Sequence, residues 1–324
     1  MAGQSCQRRP RLRHHHSQRA ASFRRSALVA AVVRAIGPRS ILGESPIWDD
    51  RAGHLTWVDV DGRRLHRWHW ASERVESVTT VGRPGSIALT PDPDIIVLAS
   101  EQRIGLLHWP SGEVIWKLSL PIVHPTVRLN DGRVSPTGDF WVGTMHVPAS
   151  DRKFIGRLYR VHPDWTWDVV VEKVGVTNGL ACTPLGMQWA DTLLGRCWVA
   201  DDHILADGPT ISGQGEPLID FQTSDLPGGP DGACMDQAGG TWIACVHGST
   251  LARFEGGTLT ERHELRVRRP TCPTFGGPDL ATMFITTIGG GGNYPVFDDE
   301  PDAGRVLVVE SQHHGVPERI FSVG

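Results

Sequence analysis

Residues 130–142 read Asn-Asp-Gly-Arg-Val-Ser-Pro-Thr-Gly-Asp-Phe-Trp-Val. The stretch has a polar start and a short strand, turns at residues 136–138, and enters a second strand rich in aromatic and β-branched residues. Similar units start near residues 44, 85, 130, 178, 231 and 275, at intervals of 41, 45, 48, 53 and 44 residues. A repeat of roughly 40–50 residues with several short strands is typical of one four-stranded propeller blade. The spacing therefore predicts an all-β chain folded as a six-bladed β-propeller.

The composition agrees with a chain of short strands and many turns. The 324 residues include 37 Gly, 23 Pro and 12 Trp, and 40% are hydrophobic against 21% charged, which excludes a disordered chain. A net charge of −4 gives no electrostatic basis for binding nucleic acid. No apolar run reaches the roughly 18 residues of a membrane-spanning helix. We therefore expect no nucleic-acid partner and no membrane span.

The cysteines indicate a reducing compartment. None of the six forms a Cys-x-x-Cys pair, and several lie inside apolar strand-like segments. Buried free thiols in the cytoplasm are the interpretation that this pattern favours. We expect a cytoplasmic protein that is a monomer or a weak oligomer.

The first residues differ in composition from the rest of the chain. Residues 1–39 contain nine arginines and no acidic residue. Three interpretations remain open: an organelle presequence, a twin-arginine export signal at Arg24-Arg25, and a disordered tail or a start codon set too early. We therefore divide the chain into a basic, disordered extension at residues 1–36 and one propeller domain at residues 37–324. Strands at Val32–Ile36 and Arg305–Val309 are expected to close the ring within one blade.

Four of the repeat units start with residues that disfavour strands, namely Glu44, Asn130, Asn178 and Asp231. In a propeller the innermost strands line a central channel, so equivalent starts from different blades meet at one mouth. Turn chemistry would explain any one of these residues alone. Four in register with the repeat instead favour a site of hard oxygen ligands, which suit Ca²⁺, Mg²⁺ or Mn²⁺.

Six short motifs stand in order along residues 37–324. They are Leu-Gly-Glu-Ser-Pro-Ile-Trp at 42–48, Arg-Leu-Asn-Asp-Gly at 128–132, Gly-Thr-Met at 143–145, Thr-Asn-Gly-Leu at 177–180, Pro-Asp-Gly at 230–232 and Thr-Phe-Gly-Gly at 274–277. Each motif alone is weak, but the ordered set resembles the SMP-30/gluconolactonase/regucalcin family. The resemblance implies a six-bladed propeller that holds one divalent cation in its channel.

The resemblance also implies roles for individual residues. Glu44, Asn178 and Asp231 would bind the cation, with Ca²⁺ as the first choice and Zn²⁺, Mn²⁺, Mg²⁺ or Fe²⁺ as alternatives. Arg128 and Asn130 would contact a sugar lactone. The implied activity is hydrolysis of an aldonolactone, such as a glucono-, xylono- or arabinono-lactone, in carbohydrate catabolism. Asp231 would additionally take a proton from the attacking water.

Strand geometry ranks the substrate-binding residues. Arg128 and Asn130 are two residues apart and face one side of a strand. Asp131 would point the other way, unless the strand has not yet begun there, and it is the weakest of the three predictions. A surface ion pair is the alternative for Arg128. The segment after residue 145 lacks the acidic residue that some family members have, and no acid follows until Asp151. His146 is a candidate to replace that substrate contact.

Alternatives remain for both the mechanism and the function. A carboxylate bound to a dication is a weak base, so activation of water by the cation competes with proton transfer to Asp231. An aryl-ester or phosphotriester hydrolase on the same propeller is a second function, and a non-enzymatic calcium-binding propeller is a third. An arginine in the channel disfavours the third, because a scaffold does not need that charge there.

Overall fold

Short β-strands form nearly all of the regular structure in residues 28–29, 32–121, 124–200 and 210–323, which are the residues that the computed structural model describes. A 3-10 turn at Ala149–Asp151 is the only helical segment among these residues. None of the described residues forms a helix long and apolar enough to cross a membrane. The prediction of an all-β chain is confirmed.

The strands group into six sheets. The chain begins with β1 (Leu28–Val29) and β2 (Val32–Ile36), which join later strands. Blade 1 consists of β3 (Gly43–Asp49), β4 (His54–Asp59), β5 (Arg64–His69) and β6 (Val75–Thr79). Blade 2 consists of β7 (Pro84–Leu89), β8 (Ile95–Ser100), β9 (Arg103–His108) and β10 (Glu113–Ser119). Blade 3 consists of β11 (Val127–Val134), β12 (Phe140–His146), β13 (Gly156–Val161) and β14 (Trp167–Val174), with β18 (Thr210–Ile211) added at its edge.

The second half of the ring follows the same plan. Blade 4 consists of β15 (Thr177–Thr183), β16 (Gly186–Asp191), β17 (Arg196–Ala200) and β19 (Ile219–Asp220). Blade 5 consists of β20 (Gly229–Met235), β21 (Thr241–Val246), β22 (Thr250–Glu255) and β23 (Thr258–Glu264), with β1 parallel to β23 at its edge. Blade 6 consists of β24 (Pro270–Gly276), β25 (Thr282–Thr287), β26 (Val306–Glu310) and β2.

The innermost strands form a closed ring. Each of β3, β7, β11, β15, β20 and β24 contacts the next, and β24 contacts β3 again. The ring closes inside blade 6, where β2 pairs antiparallel with β26, which confirms the predicted closing strands. Residues 32–36 therefore belong to the propeller, although the sequence analysis assigned them to the extension. Residues 1–27 lie outside the described residues.

Aromatic residues pack neighbouring blades together. Trp57, Trp141, Trp189 and Trp242 lie on the second strands of their blades and are buried. Apolar clusters extend across blade boundaries: Trp48 of blade 1 stacks on Phe284 of blade 6 at 5.9 Å between ring centroids. A four-stranded blade cannot bury both of its faces alone, so packing between blades supplies the core. All five described cysteines are free thiols, and four of them are buried, as predicted.

A β-bulge interrupts each innermost strand at an equivalent level. The register with the second strand shifts between Glu44 and Ile47, Pro84 and Ser86, Leu129 and Gly132, Asn178 and Ala181, Pro230 and Ala233, and Pro270 and Pro273. A bulge leaves residues out of the ladder and redirects their side chains. The polar starts of the repeat units lie at these bulges, on the ring's inner side.

The C-terminal segment, residues 311–323, crosses the opposite end of the ring. It meets the ends of the innermost strands, where Gly315 pairs with Asp236, and Ile320 with Leu89. Glu318 forms an ion pair with Arg133 near the end of β11. The polar starts of the strands and the C-terminal segment therefore occupy opposite ends of the channel.

Candidate metal and substrate site at the channel mouth

Asn178 and Asp231 are held at the bulges of neighbouring innermost strands, and each is only 5% exposed. Thr192 connects them: its Oγ1 accepts a hydrogen bond from Asn178 Nδ2 at 2.9 Å and donates one to the carbonyl of Pro230 at 2.7 Å. Because the amide nitrogen of Asn178 is engaged in this way, its carbonyl oxygen is turned to the other side. That oxygen is the atom a hard cation would bind.

Glu44, Asp131 and Asp231 come from blades 1, 3 and 5 and repel one another at the mouth. Burial, followed by the charge of Asp131, raises the pKa of Glu44 to about 8, although the Ser45 N–H and Arg128 oppose the shift. Burial, followed by the charges of Glu44 and Asp131, raises the pKa of Asp231 well above its usual value. Three carboxyl groups without enough positive charge nearby form a site that favours a cation.

The donor set fits a hard divalent cation. Glu44 and Asp231 supply carboxylate oxygens, and Asn178 supplies an amide oxygen that retains a second lone pair. Two carboxylates balance the charge of a dication. Among the described residues no group of three or more His, Cys, Asp or Glu side chains is arranged as a metal centre. The fit therefore depends on this mixed set of two carboxylates and one amide, which has no sulfur or imidazole donor.

Arg128 and Asn130 form a hydrogen-bonded pair beside these residues. Arg128 Nη1 donates to Asn130 Oδ1 at 2.7 Å and to the carbonyl of Leu129 at 2.8 Å. Asn130 Nδ2 donates to the carbonyl of Thr177 and to Asn178 Oδ1, both at 2.9 Å. The pair therefore connects directly to one of the predicted cation ligands.

Arg128 is a buried cation without an ion-pair partner among the described residues. It is 4% exposed, and its guanidinium forms no ion pair with a carboxylate of those residues. Burial is the main cause of its lowered pKa. The alternative of a surface ion pair is therefore wrong. A buried arginine without a carboxylate needs another acceptor, and a polar substrate in the mouth would supply one.

Asp131 does not face away from the site, contrary to the expectation from strand alternation. The bulge in β11 spans Asn130 and Asp131, so the regular alternation of side chains is interrupted there. Asp131 Oδ2 accepts a hydrogen bond from the backbone N–H of Leu180 at 3.0 Å, and Asn130 reaches the same neighbouring strand. Both side chains thus point toward blade 4. Asp131 contributes negative charge to the site.

His146 lies in a hydrogen-bonded chain beside the mouth. Its Nδ1 lies 2.6 Å from Thr126 Oγ1, and its Nε2 lies 2.9 Å from Asp151 Oδ2. The side chain is buried, and both ring nitrogens have protein partners. A direct substrate contact through His146 is therefore not supported. The histidine instead joins the segment before Arg128 to the turn after β12.

Four residues near the mouth lie outside the sequence motifs and were not predicted. They are Asp61 in the β4–β5 turn, Arg83 before β7, Glu101 between β8 and β9, and Tyr294 in the β25–β26 loop. The guanidinium of Arg83 makes two hydrogen bonds to the Glu101 carboxylate, both at 3.0 Å. The charges of Arg83, Asp61 and Glu44 all act on Arg128. The run of four glycines at 289–292 is the one sequence signal that could have drawn attention to Tyr294.

A cavity of about 460 Å³ lies at the other end of the channel. Arg133, Cys182, Cys234, Thr274 and Glu318 are among its lining residues, and none of the predicted site residues is. Its principal charges, Arg133 and Glu318, already neutralise each other. Cavity size alone therefore does not identify the functional site. The unpaired charges and oxygen donors lie at the mouth.

Comparisons with known proteins identify the family and similar folds. The family model described as "SMP-30/Gluconolactonase/LRE-like region" matches residues 42–289. Regucalcin of Xenopus laevis is 30% identical over 83% of this chain and 90% of its own length. The 6-deoxy-6-sulfogluconolactonase of Pseudomonas putida is 33% identical over 87% of this chain and 96% of its own length. The structure of the calcium-binding protein regucalcin from Agrobacterium tumefaciens superposes with a TM-score of 0.79 at 25% identity, covering 91% of this chain and 98% of that chain.

Proposed function

Because this chain belongs to the SMP-30/gluconolactonase/LRE-like family, we propose that it hydrolyses the ester ring of a sugar lactone with one divalent cation bound at the channel mouth. Relatives that are named lactonases support the reaction class. The observation that carries the proposal is the juxtaposition of the half-buried Glu44 and the buried Asp231, which repel each other, with Arg128, which has no carboxylate partner among the described residues. A bound cation would offset the repulsion between Glu44 and Asp231. An oxygen-rich substrate would accept hydrogen bonds from Arg128.

The cation would be held by Glu44, Asn178 and Asp231. When bound, it would supply Lewis-acid polarisation of the lactone carbonyl and stabilise negative charge on its oxygen. Ca²⁺ is the first choice because the donors are all oxygen, and Mg²⁺, Mn²⁺, Zn²⁺ and Fe²⁺ are alternatives. The name of the Agrobacterium structure also mentions calcium.

The protein's own groups would orient the substrate and move the proton. Arg128 has N–H groups without a described protein acceptor, and these would donate to substrate oxygens. Asn130 holds the guanidinium by accepting from Nη1, so the donor is presented in one orientation. Asp231 would accept a proton from the attacking water, and activation of the water by the cation is the competing route, because a carboxylate bound to a dication is a weak base. Asp131 would maintain the negative field without contacting the cation.

A panel of substrates and metals tests the proposal. Chelated protein is supplied in turn with Ca²⁺, Mg²⁺, Mn²⁺, Zn²⁺ and Fe²⁺, and ring opening of glucono-, xylono- and arabinono-lactone is followed above the spontaneous rate. An aryl ester and a phosphotriester serve as the competing substrates. We expect metal-dependent opening of at least one sugar lactone, and its loss in Glu44→Gln. Absence of metal-dependent opening in the wild-type protein would refute the proposal. Faster hydrolysis of the aryl ester or the phosphotriester would favour the competing function.

A further inference from the structure

The loop that joins β25 to β26 begins immediately beside the predicted cation ligand Glu44. Ile288 forms a β-bridge with Leu42, two residues before Glu44. The backbone N–H groups of Gly289 and Gly290 both donate to the carbonyl of Ile41, at 3.2 and 3.4 Å. The first part of this loop is therefore attached to the strand that carries Glu44.

The tip of the same loop has a defined shape. Gly291 and Tyr294 exchange two backbone hydrogen bonds of 3.0 Å, and Arg269 Nη2 donates to the carbonyl of Pro295 at 2.7 Å. Gly290 has φ +95°, and a Cβ there would lie 2.6 Å from the carbonyl oxygen of Pro295. Only glycine fits this position, so the glycine run brings the chain back close to itself and sets where Tyr294 lies.

The side chain of Tyr294 packs on apolar residues, and its hydroxyl lies near the site. Its side chain packs against the apolar cluster that includes Leu42 and Ile288. Its hydroxyl lies within electrostatic range of Arg128, Asp61, Glu44 and Asp231, which come from three different blades. The bulges of β3, β11 and β20 bring Glu44, Arg128 and Asp231 to the channel mouth, and the loop of Tyr294 is bridged to Leu42 beside Glu44. The hydroxyl of Tyr294 is therefore at that mouth.

The hydroxyl of Tyr294 forms no hydrogen bond with any of the residues that the structure describes, and the side chain is only partly exposed. Burial raises its pKa, so the phenol is neutral and able to donate at neutral pH. The only other tyrosine of the chain, Tyr159, is fully buried in blade 3, where its ring packs edge-on against Trp167.

We propose that Tyr294 is a substrate-contacting, specificity-determining residue, whose hydroxyl donates to a hydroxyl group of the bound sugar while its ring covers the channel mouth. The inference rests on the proposed function, because it assigns this residue to the same site. A half-buried phenol suits a cyclic polyol, since the ring covers C–H groups and the hydroxyl pairs with an oxygen. The ligand class is a sugar ring with several hydroxyl groups, not a hydrophobic lactone.

The experiment compares the wild-type protein with Tyr294→Phe and with the control variant Tyr159→Phe. The substrate is gluconolactone at saturating Ca²⁺. Calorimetry separately measures the binding of Ca²⁺ and of 1,5-anhydroglucitol, a cyclic polyol without an ester. For Tyr294→Phe we expect KM and the polyol Kd to rise by about three- to tenfold, the loss of one neutral hydrogen bond. We expect kcat to stay within about twofold, because one neutral contact to the sugar acts on binding more than on the bond-making step. Ca²⁺ affinity and Tm should not change, and Tyr159→Phe should leave KM unchanged.

Two results obtained with the variant would overturn the inference. One is an unchanged KM and polyol Kd in Tyr294→Phe. The other is a Ca²⁺ affinity that falls by the same factor as the polyol affinity, which would mean that the residue only supports the strand of Glu44. If the wild-type protein opens no lactone, the proposed function fails, while the polyol titration still decides the role of Tyr294. A wild-type protein that binds no polyol would overturn the inference as well.

Discussion

Asn130 donates a hydrogen bond from Nδ2 to Oδ1 of Asn178, at 2.9 Å, across the boundary between blades 3 and 4. The bond joins a predicted substrate-binding residue to a predicted cation ligand. Asn178 is held from its other side by Thr192. The predicted substrate-binding residue and the predicted cation ligand therefore belong to the same short hydrogen-bonded chain.

The variant Asn130→Ala tests whether substrate binding and cation binding both depend on this chain. It removes the donor that orients Asn178 Oδ1, so we expect both gluconolactone KM and the Ca²⁺ Kd to rise. A typical hydrogen bond contributes about 1 kcal/mol, which corresponds to roughly a fivefold change in Ca²⁺ Kd. Calorimetric Ca²⁺ titration is the measurement, and Gln222→Ala, at an exposed position in the loop after β19, is the control. A Ca²⁺ affinity that stays at the wild-type value would contradict the coupling.

The cation-free protein is expected to lose stability as the pH rises from 6.5 to 8. The pKa of Glu44 in the folded state is about 8 and that of Asp231 is well above normal, so the folded state binds more protons than the unfolded chain in this window. Under that condition the free energy of unfolding falls with rising pH. His54 and His66, whose pKa values burial lowers to about 4, lose their effect above pH 6.5. Below pH 6.5 these two histidines make the free energy of unfolding rise with pH, because the unfolded chain then binds more protons at them.

Thermal unfolding in a chelator at pH 6.5, 7.0, 7.5 and 8.0 measures this slope. Added Ca²⁺ should raise Tm most at pH 8, because binding needs ionised carboxylates. Glu44→Gln should flatten the chelator curve. A chelated Tm that does not fall over this range would show that the carboxyl groups are already ionised without a cation.

Asp231→Asn tests proton transfer separately from cation binding. If Asp231 takes the proton from water, kcat at saturating Ca²⁺ should fall by about 10²–10⁴-fold. The measurement is kcat at Ca²⁺ concentrations that calorimetry shows to saturate the variant. The matched variant Asp131→Asn removes a neighbouring charge but not the proton acceptor, and it should reduce kcat far less. Near-normal turnover in metal-loaded Asp231→Asn would assign activation of the water to the cation.

The ion pair between Arg133 and Glu318 is predicted to support folding and not activity. Both side chains are 13% exposed, and Glu318 belongs to the segment that crosses the far end of the channel. Glu318→Gln leaves a buried guanidinium without its carboxylate, which typically costs about 3–5 kcal/mol in the free energy of unfolding. Urea unfolding measures the loss, and gluconolactone KM should stay within twofold. A changed KM with an unchanged unfolding midpoint would instead place this end of the channel in substrate binding.

The overall architecture was accessible from the sequence because it depends on a repeating local pattern. Alternating strand and turn residues recur at nearly equal intervals, and each unit is too small to fold alone, so a ring of six follows. The convergence of Glu44, Asn130, Asn178 and Asp231 was expected from the same pattern, since equivalent strand starts of different blades meet on one axis. The closing strand at Val32–Ile36 was also anticipated.

The orientation of Asp131 was not accessible in this way. Strand alternation assigns Asn130 and Asp131 to opposite faces, but the bulge between Leu129 and Gly132 turns both toward blade 4. A bulge depends on the pairing of two strands, and a single strand's residues do not specify it. The contacts of His146 were also not predictable from the sequence. Thr126 and Asp151 reach its two ring nitrogens only in the folded chain.

The amino-acid sequence by itself determined the number of blades, the closing strand and the set of polar residues at the strand starts, because these depend on periodicity along the chain. Only the tertiary structure decided which side chains share the mouth. It brought Tyr294 and Asp61 to Arg128 from loops without a motif and left Arg128 without a carboxylate partner in the described residues. It also placed a cavity of about 460 Å³ at the opposite end of the channel. These features depend on distances between blades that lie far apart in the chain, and such distances exist only after the ring has closed.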